Sequence, residues 1–114
     1  MKTNKNINLD RVEEVAEGDK EFQSQLLLAI QTSLEDLKSR YLEGLASKNE
    51  TILQQARHKI KPTLSLFELK RLSAILRQGK TLDLSINPDI VKAHREDFLA
   101  AIDDLLKELK GIIE

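Results

Sequence analysis

The chain has 114 residues and a formal net charge of −1, from 18 lysines and arginines against 19 aspartates and glutamates. This length allows one domain with a single core, and the near balance of charge argues against nucleic acid as the main partner, because phosphate-binding surfaces usually carry a clear basic excess. There is no cysteine, which excludes disulfides, thiolate metal sites and cysteine nucleophiles.

The N-terminal half is predicted to form two helices. Residues 1–7 are polar and are expected to be frayed. The segment NLDRVEEVA predicts a short helix capped by Asn8, and EGD ends it, because Gly18 suits a helix end and Asp19 suits the next N-cap. Over residues 20 to about 46, apolar residues recur at helical spacing, which predicts a long amphipathic helix.

The C-terminal half is predicted to be helical as well. A helix begins near Glu50, and apolar residues continue at helical spacing after Pro62 as far as Leu76. We therefore expect the segments on either side of Pro62 to form one kinked helix or two helices in line. After GKTLDLS, a final helix is predicted with Asn87 as its cap and Pro88 at its first position.

These elements together predict an all-α fold. No segment alternates between apolar and polar residues, so strands are not expected. Long helices with short connections indicate an antiparallel four-helix bundle with a short extra N-terminal helix, in one domain over residues 1–114. No uncharged run approaches the roughly 18 residues that span a bilayer, and the N-terminus has no apolar signal segment. A cytoplasmic protein without membrane insertion is the expectation.

One histidine is predicted to face solvent on the helix that begins near Glu50. At about 100° per residue, His58 falls opposite the apolar arc, in a polar stripe with Gln54, Ser65 and Lys61. Imidazole is a nucleophile that can form a covalent intermediate, and Lys61, three residues on, can offer its ammonium to phosphoryl oxygens. Gln54 and Ser65 can donate hydrogen bonds to the same oxygens.

The same residues also permit plainer interpretations. A surface histidine without a role and a solvated charged face, including Arg57 and Lys59, would produce a similar pattern. The other histidine, His94, falls on the flank of an apolar stripe and is interpreted as a packing residue at its boundary. Two histidines on different helices do not make a metal site, and no glycine-rich phosphate loop indicates ATP binding.

The segment ARHKIKPTLSLF, preceded by GDKEFQSQLLLAIQTSLEDL, resembles the histidine phosphotransfer (HPt) domain of multistep two-component phosphorelays. The family pattern is His, any residue, an aliphatic residue and Lys, then Gly, with a second Gly ten positions after the His. His58, Ile60 and Lys61 match it. The resemblance covers about residues 8–112, and only residues 58–61 are diagnostic.

The resemblance implies a monomeric four-helix bundle that acts as a phosphotransfer protein and not as a self-sufficient enzyme. His58 would accept a phosphoryl group from the aspartyl phosphate of one receiver domain and pass it to the aspartate of another. Its partners would be response-regulator receiver domains and a hybrid sensor kinase. The receiver would supply Mg²⁺, so the chain would need no cofactor of its own, and Lys61 would stabilise the phosphoryl group.

Two residues depart from the family pattern. Pro62 occupies the first Gly position; it keeps the surface small for an approaching receiver, and we expect it to kink the helix at the His58 carbonyl, which its ring crowds. Glu68 replaces the second Gly and is expected to affect helix packing, not transfer. The family often places a Gln near the His from the following helix, for which Gln78 is the nearest candidate and Lys80 another.

Two alternatives remain at the level of sequence. One is the dimerisation and phosphoacceptor helix pair of a sensor kinase, whose motif has an acid directly after the His and a proline five residues on. Here Lys59 follows His58, and Pro62 is four residues on. The other is a helical interaction module that never carries phosphate. Such a module would be marked by loss of His58 or Lys61, and both are present.

Overall fold

The computed structural model describes residues 6–85 and 87–113, and over these ranges it contains five α-helices and no strand. The helices are α1 (Leu9–Val15), α2 (Lys20–Ala46), α3 (Glu50–Leu66), α4 (Lys70–Lys80) and α5 (Pro88–Ile113). The prediction of an all-helical chain is confirmed for this part of the molecule. None of the helices described is long and apolar enough to cross a membrane.

The predicted helix starts are confirmed by their capping hydrogen bonds. Asn8, Asp19 and Asn49 precede α1, α2 and α3, and the side chain of each accepts a hydrogen bond from the backbone N–H three residues on. Such a cap contributes about 1 kcal/mol, which is why short polar residues at these positions predict helix boundaries well.

The N-terminal segment is less frayed than the sequence predicts. The backbone N–H groups of Asn6 and Ile7 donate to the Glu108 carboxylate over 3.1–3.2 Å, and the Ile7 side chain is buried in the core. Residues 1–5 of the predicted frayed segment lie outside the described residues. The core thus extends to Ile7, because α5 supplies a carboxylate for the two backbone donors.

The helix that carries His58 ends earlier than predicted. α3 passes through Pro62, so the residues on either side of it belong to one helix, but it stops at Leu66, and the expected continuation in line as far as Leu76 is wrong. The N–H of Leu69 bonds to the carbonyl of Leu64 over 3.0 Å, while Glu68 adopts a left-handed φ of +54°. This is the Schellman arrangement that ends a helix and reverses the chain. The proposed kink at His58 stays a prediction.

Helices α2 to α5 pack as a closed ring in which each helix contacts the next and α5 contacts α2, while α1 packs on α2. Paired contacts run in opposite directions along neighbouring helices, so these neighbours are antiparallel. The pairs that show this are Asp36–Lys59 and Gly44–Leu53 for α2 and α3, Lys38–Asp103 and Tyr41–His94 for α2 and α5, and Arg71–Asp104 and Gly79–His94 for α4 and α5.

The predicted apolar arc of α3 faces this core. Leu53, Ala56, Ile60 and Leu64 are all buried, and the opposite side of the helix is exposed. The orientation of α3 predicted from the helical wheel is therefore confirmed.

Candidate functional site

His58 is exposed and lines an open cleft between α3 and α4, which we call the α3–α4 cleft. The cleft has a volume of about 790 Å³. The predicted site residues Gln54, Lys61 and Ser65 are exposed and line it together with His58. These four predicted site residues thus share one surface, because they fall on one stripe of α3.

The other wall of the cleft comes from α4. The reversal at residues 67–69 lays α4 antiparallel to α3, so that its residues at positions 73, 76, 77 and 80 face the cleft. Leu64 and Leu76 are buried and provide the apolar floor between the two helices. Arg77 and Lys80 are exposed and bring two positive charges to the wall opposite His58.

Two predicted site residues lie outside the cleft. Pro62 is exposed on α3 but does not line it, and neither does Gln78, which is exposed on α4. Helical geometry explains the second case: Arg77 and Lys80 share a face of α4, while Gln78 is rotated about 100° from Arg77. Lys80, the other candidate for this position, does line the cleft, together with Arg77, which the sequence reasoning missed.

The cleft is electropositive although the whole chain is nearly neutral. Arg57, Lys61, Arg77 and Lys80 line it, and Glu50 is the one carboxylate among the described residues that do so. A site with this excess of cations favours a phosphoryl group or an acidic partner. The net charge of −1 conceals this because, among the described acids, only Glu50 lines the cleft.

Arg57 and Lys59 flank His58 in the sequence, but the two side chains have different surroundings. Arg57 has a side chain only 10% exposed, and its Nη2 donates to Oε1 of Glu50 over 2.8 Å. Its Nη1 is buried and has no hydrogen-bond partner among the described residues. Lys59 instead pairs with Asp36 on α2 over 3.0 Å and does not line the cleft. Only Arg57 therefore contributes to the site.

A buried polar pair lies on the core side of Arg57. The Tyr41 hydroxyl and Nε2 of His94 are 2.7 Å apart, and His94 is 6% exposed, so its predicted boundary position is corrected to a buried one. Burial lowers the pKa of His94; the Asp97 charge opposes this and the Arg57 charge reinforces it. Burial also raises the pKa of Tyr41, against the effect of the Arg57 guanidinium. His94 is thus a core residue, and of the two histidines only His58 is exposed.

Comparison with protein-family models, with curated proteins and with solved structures finds no match. Within residues 6–85 and 87–113, no group of three or more His, Cys, Asp or Glu side chains could hold a metal ion.

Proposed function

We propose that the chain is a histidine phosphotransfer protein in which His58 carries a phosphoryl group between two receiver domains. The observation that supports this most is the exposed imidazole of His58 in a cleft whose charged lining residues are mostly cations. An imidazole in solvent can be reached by a protein partner, and the cations around it favour the charge that a phosphoryl group brings.

The transfer itself needs only the imidazole and the partner. A ring nitrogen of neutral His58 attacks phosphorus, the P–O bond to the receiver aspartate breaks, and the aspartate leaves as a carboxylate. The second transfer runs in the opposite sense: a receiver aspartate attacks phosphorus and the P–N bond breaks. Lys61, one turn beyond His58, donates to the phosphoryl oxygens in both states, and Gln54 and Ser65 add neutral donors. The receiver would supply the Mg²⁺.

The helical arrangement agrees with this proposal. We propose that α2–α5 are the four-helix bundle of the HPt family and that α1 is the extra N-terminal helix. In a sensor-kinase dimerisation pair, a second copy would complete the core. Here α3 already has neighbours on both sides, α2 and α4, which favours a monomer. The partners proposed are response-regulator receiver domains and a hybrid sensor kinase, in the cytoplasm.

Labelling with phosphorylated receiver domains tests the proposal. The wild-type chain is expected to gain a phosphate that is labile in acid and stable in base, and His58→Gln is expected to abolish it. Lys59→Gln is the matched control, because it alters the adjacent residue outside the cleft. A label that survives His58→Gln, or a wild-type chain that takes no label from any receiver offered, would contradict the proposal. The latter result would favour a phosphate-free interaction module.

A further inference from the structure

We propose that Arg57 is a phosphoryl-binding residue whose guanidinium exchanges Glu50 for the oxygens of a dianionic phosphoryl group in the α3–α4 cleft. The HPt pattern assigns nothing to the position before the histidine. The phosphoryl group has two possible sources, a phosphorylated His58 or a free phosphomonoester. The inference rests on the proposed function only for the first source.

The first argument is the incomplete pairing of a buried guanidinium. The Arg57 side chain is nine-tenths buried, and its Nη1 lacks a hydrogen-bond partner among the described residues. A buried donor without an acceptor is costly and uncommon in folded proteins, and more so for a charged group. Arginine typically binds carboxylates and phosphates through two parallel hydrogen bonds, whereas the ion pair with Glu50 joins Nη2 to a single oxygen. A phosphoryl group has enough oxygens to satisfy both nitrogens.

The second argument is that neither Tyr41 nor His94, on the core side of Arg57, supplies a negative charge to it. Tyr41 has a raised pKa and stays a neutral phenol, and His94 has a lowered pKa, which favours its neutral form. Glu50 is the one lining carboxylate, and its side chain is 54% exposed, so water weakens its attraction for Arg57. The Tyr41 hydroxyl can offer Arg57 a neutral acceptor, so a second negatively charged partner has to come from the cleft.

The third argument is the charge of the cleft as a whole. Lys61, Arg77 and Lys80 line it with Arg57, so the cationic excess over Glu50 is three, since four cations stand against one acid. A phosphoryl dianion reduces this excess far more than a carboxylate would. A phosphoryl dianion also presents three acceptor oxygens, which suits a cleft that is lined by donors from both α3 and α4. We infer that Glu50 holds the Arg57 site in the unbound state and competes with the phosphoryl group for it.

The first experiment uses inorganic phosphate on the full chain, followed by ¹H–¹⁵N NMR of arginine side chains. The Nε–Hε signal of Arg57 is expected to shift saturably. Glu50→Gln should bind phosphate several-fold more tightly, and Arg57→Gln, followed through the Nε–Hε signal of Arg77 in the same cleft, several-fold more weakly. Arg95→Gln removes the same charge from an exposed position on α5 outside the cleft and should leave binding within twofold. Equal affinity in all four proteins would overturn the proposal.

The second experiment distinguishes the two sources of the phosphoryl group. Phosphoramidate phosphorylates histidine directly: the imidazole attacks phosphorus, the P–N bond of the reagent breaks and ammonia leaves. Loss of phosphate from His58 is expected to be several-fold faster in Arg57→Gln and slower in Glu50→Gln. Phosphate binding that persists in His58→Gln would show that the site takes a phosphate group that is not attached to His58. If only the hydrolysis rates change and no protein binds inorganic phosphate, the site is assigned to phosphohistidine alone.

The outcomes separate this proposal from the phosphotransfer function. If receivers and phosphoramidate fail to label His58 while inorganic phosphate still shifts Arg57, the phosphotransfer function fails and the Arg57 site stands. If His58 is labelled normally and neither Arg57→Gln nor Glu50→Gln changes binding or hydrolysis, the Arg57 site is overturned alone. Should Arg57→Gln unfold, Arg57→Lys and the exposed Glu50→Gln provide the same comparison.

Discussion

The Tyr41 hydroxyl lies 2.7 Å from Nε2 of His94, and this buried pair ties the second half of α2 to the first half of α5. The Tyr41 ring also packs on Phe98, with centroids 4.4 Å apart. Tyr41→Phe keeps the ring and removes only the hydroxyl, which leaves a buried imidazole nitrogen unpaired. We expect the free energy of unfolding to fall by about 1–3 kcal/mol. Urea unfolding measures it, and a change below about 0.5 kcal/mol would mean that the hydrogen bond contributes little.

The Tyr41–His94 pair explains why residue 79 of α4 is a glycine. A Cβ built on Gly79 would collide with the Tyr41 hydroxyl and would lie 2.9 Å from Nε2 of His94. Gly79→Ala is therefore expected to destabilise the fold by about 1–3 kcal/mol through overpacking, although alanine is the better helix former by about 1 kcal/mol. Gly111→Ala in α5 is the matched control, since nothing lies within 4 Å of its added Cβ. It should be neutral or stabilising, and equal losses for both variants would refute the packing argument.

The lowered pKa of His94 makes stability depend on pH. Burial lowers this pKa below the ordinary value of 6.5, so the unfolded chain binds the proton more readily than the folded chain. The stabilisation is complete above 6.5 and is lost as the pH falls from there through the lower folded pKa. Urea unfolding between pH 7.5 and 5.5 should show a falling free energy, with a shallower slope in His94→Gln. The same slope in both proteins would assign the pH dependence to other groups.

The direction of His58 was predictable because it depends on local geometry. The apolar spacing of α3 and the Asn49 cap are properties of one segment, and they determine which side of the helix meets the core. The position of α4 depends on the reversal at Glu68, where a glutamate takes a conformation that usually marks glycine. Because no glycine signalled that turn, the sequence predicted a continuing helix. The choice of Gln78 rests on the HPt resemblance and not on the geometry of α4, so Arg77 was missed.

Contacts between residues far apart in the sequence could not be predicted either. The helical wheel placed His94 on the flank of an apolar stripe, and only the Tyr41 hydroxyl from another helix makes full burial of its ring acceptable. Arg57 is a similar case, because Tyr41 and His94, whose pKa values its charge influences, come from α2 and α5.

Glu68 is expected to be a site where glycine stabilises the protein. Its φ of +54° lies in the left-handed region, which costs a residue with a Cβ roughly 1 kcal/mol relative to glycine. Its hydrogen bond from Asn8 over 3.2 Å is exposed and contributes little. Glu68→Gly should raise the free energy of unfolding by about 0.5–1 kcal/mol and leave phosphotransfer unchanged. Lys92→Gly, at an exposed helical position of α5, should instead lower it by about 1 kcal/mol; a loss of stability in both would contradict the argument.

Lys61 and Lys59 provide a matched pair for the phosphoryl site. Both are exposed lysines on α3, but Lys61 lines the α3–α4 cleft with His58, while Lys59 pairs with Asp36 on the side facing α2. A charge-assisted hydrogen bond contributes roughly 1.5–3 kcal/mol, so Lys61→Ala is expected to slow phosphoryl transfer from a receiver by about 10- to 100-fold. Lys59→Ala should change the rate less than about twofold, because exposed ion pairs of this kind contribute little.

Rapid-quench measurement of the phosphohistidine formed on each variant gives these rates of transfer. Equal rates for Lys61→Ala and the wild type would remove the lysine from the transfer step, whereas equal slowing by both variants would indicate a general effect of surface charge on receiver encounter.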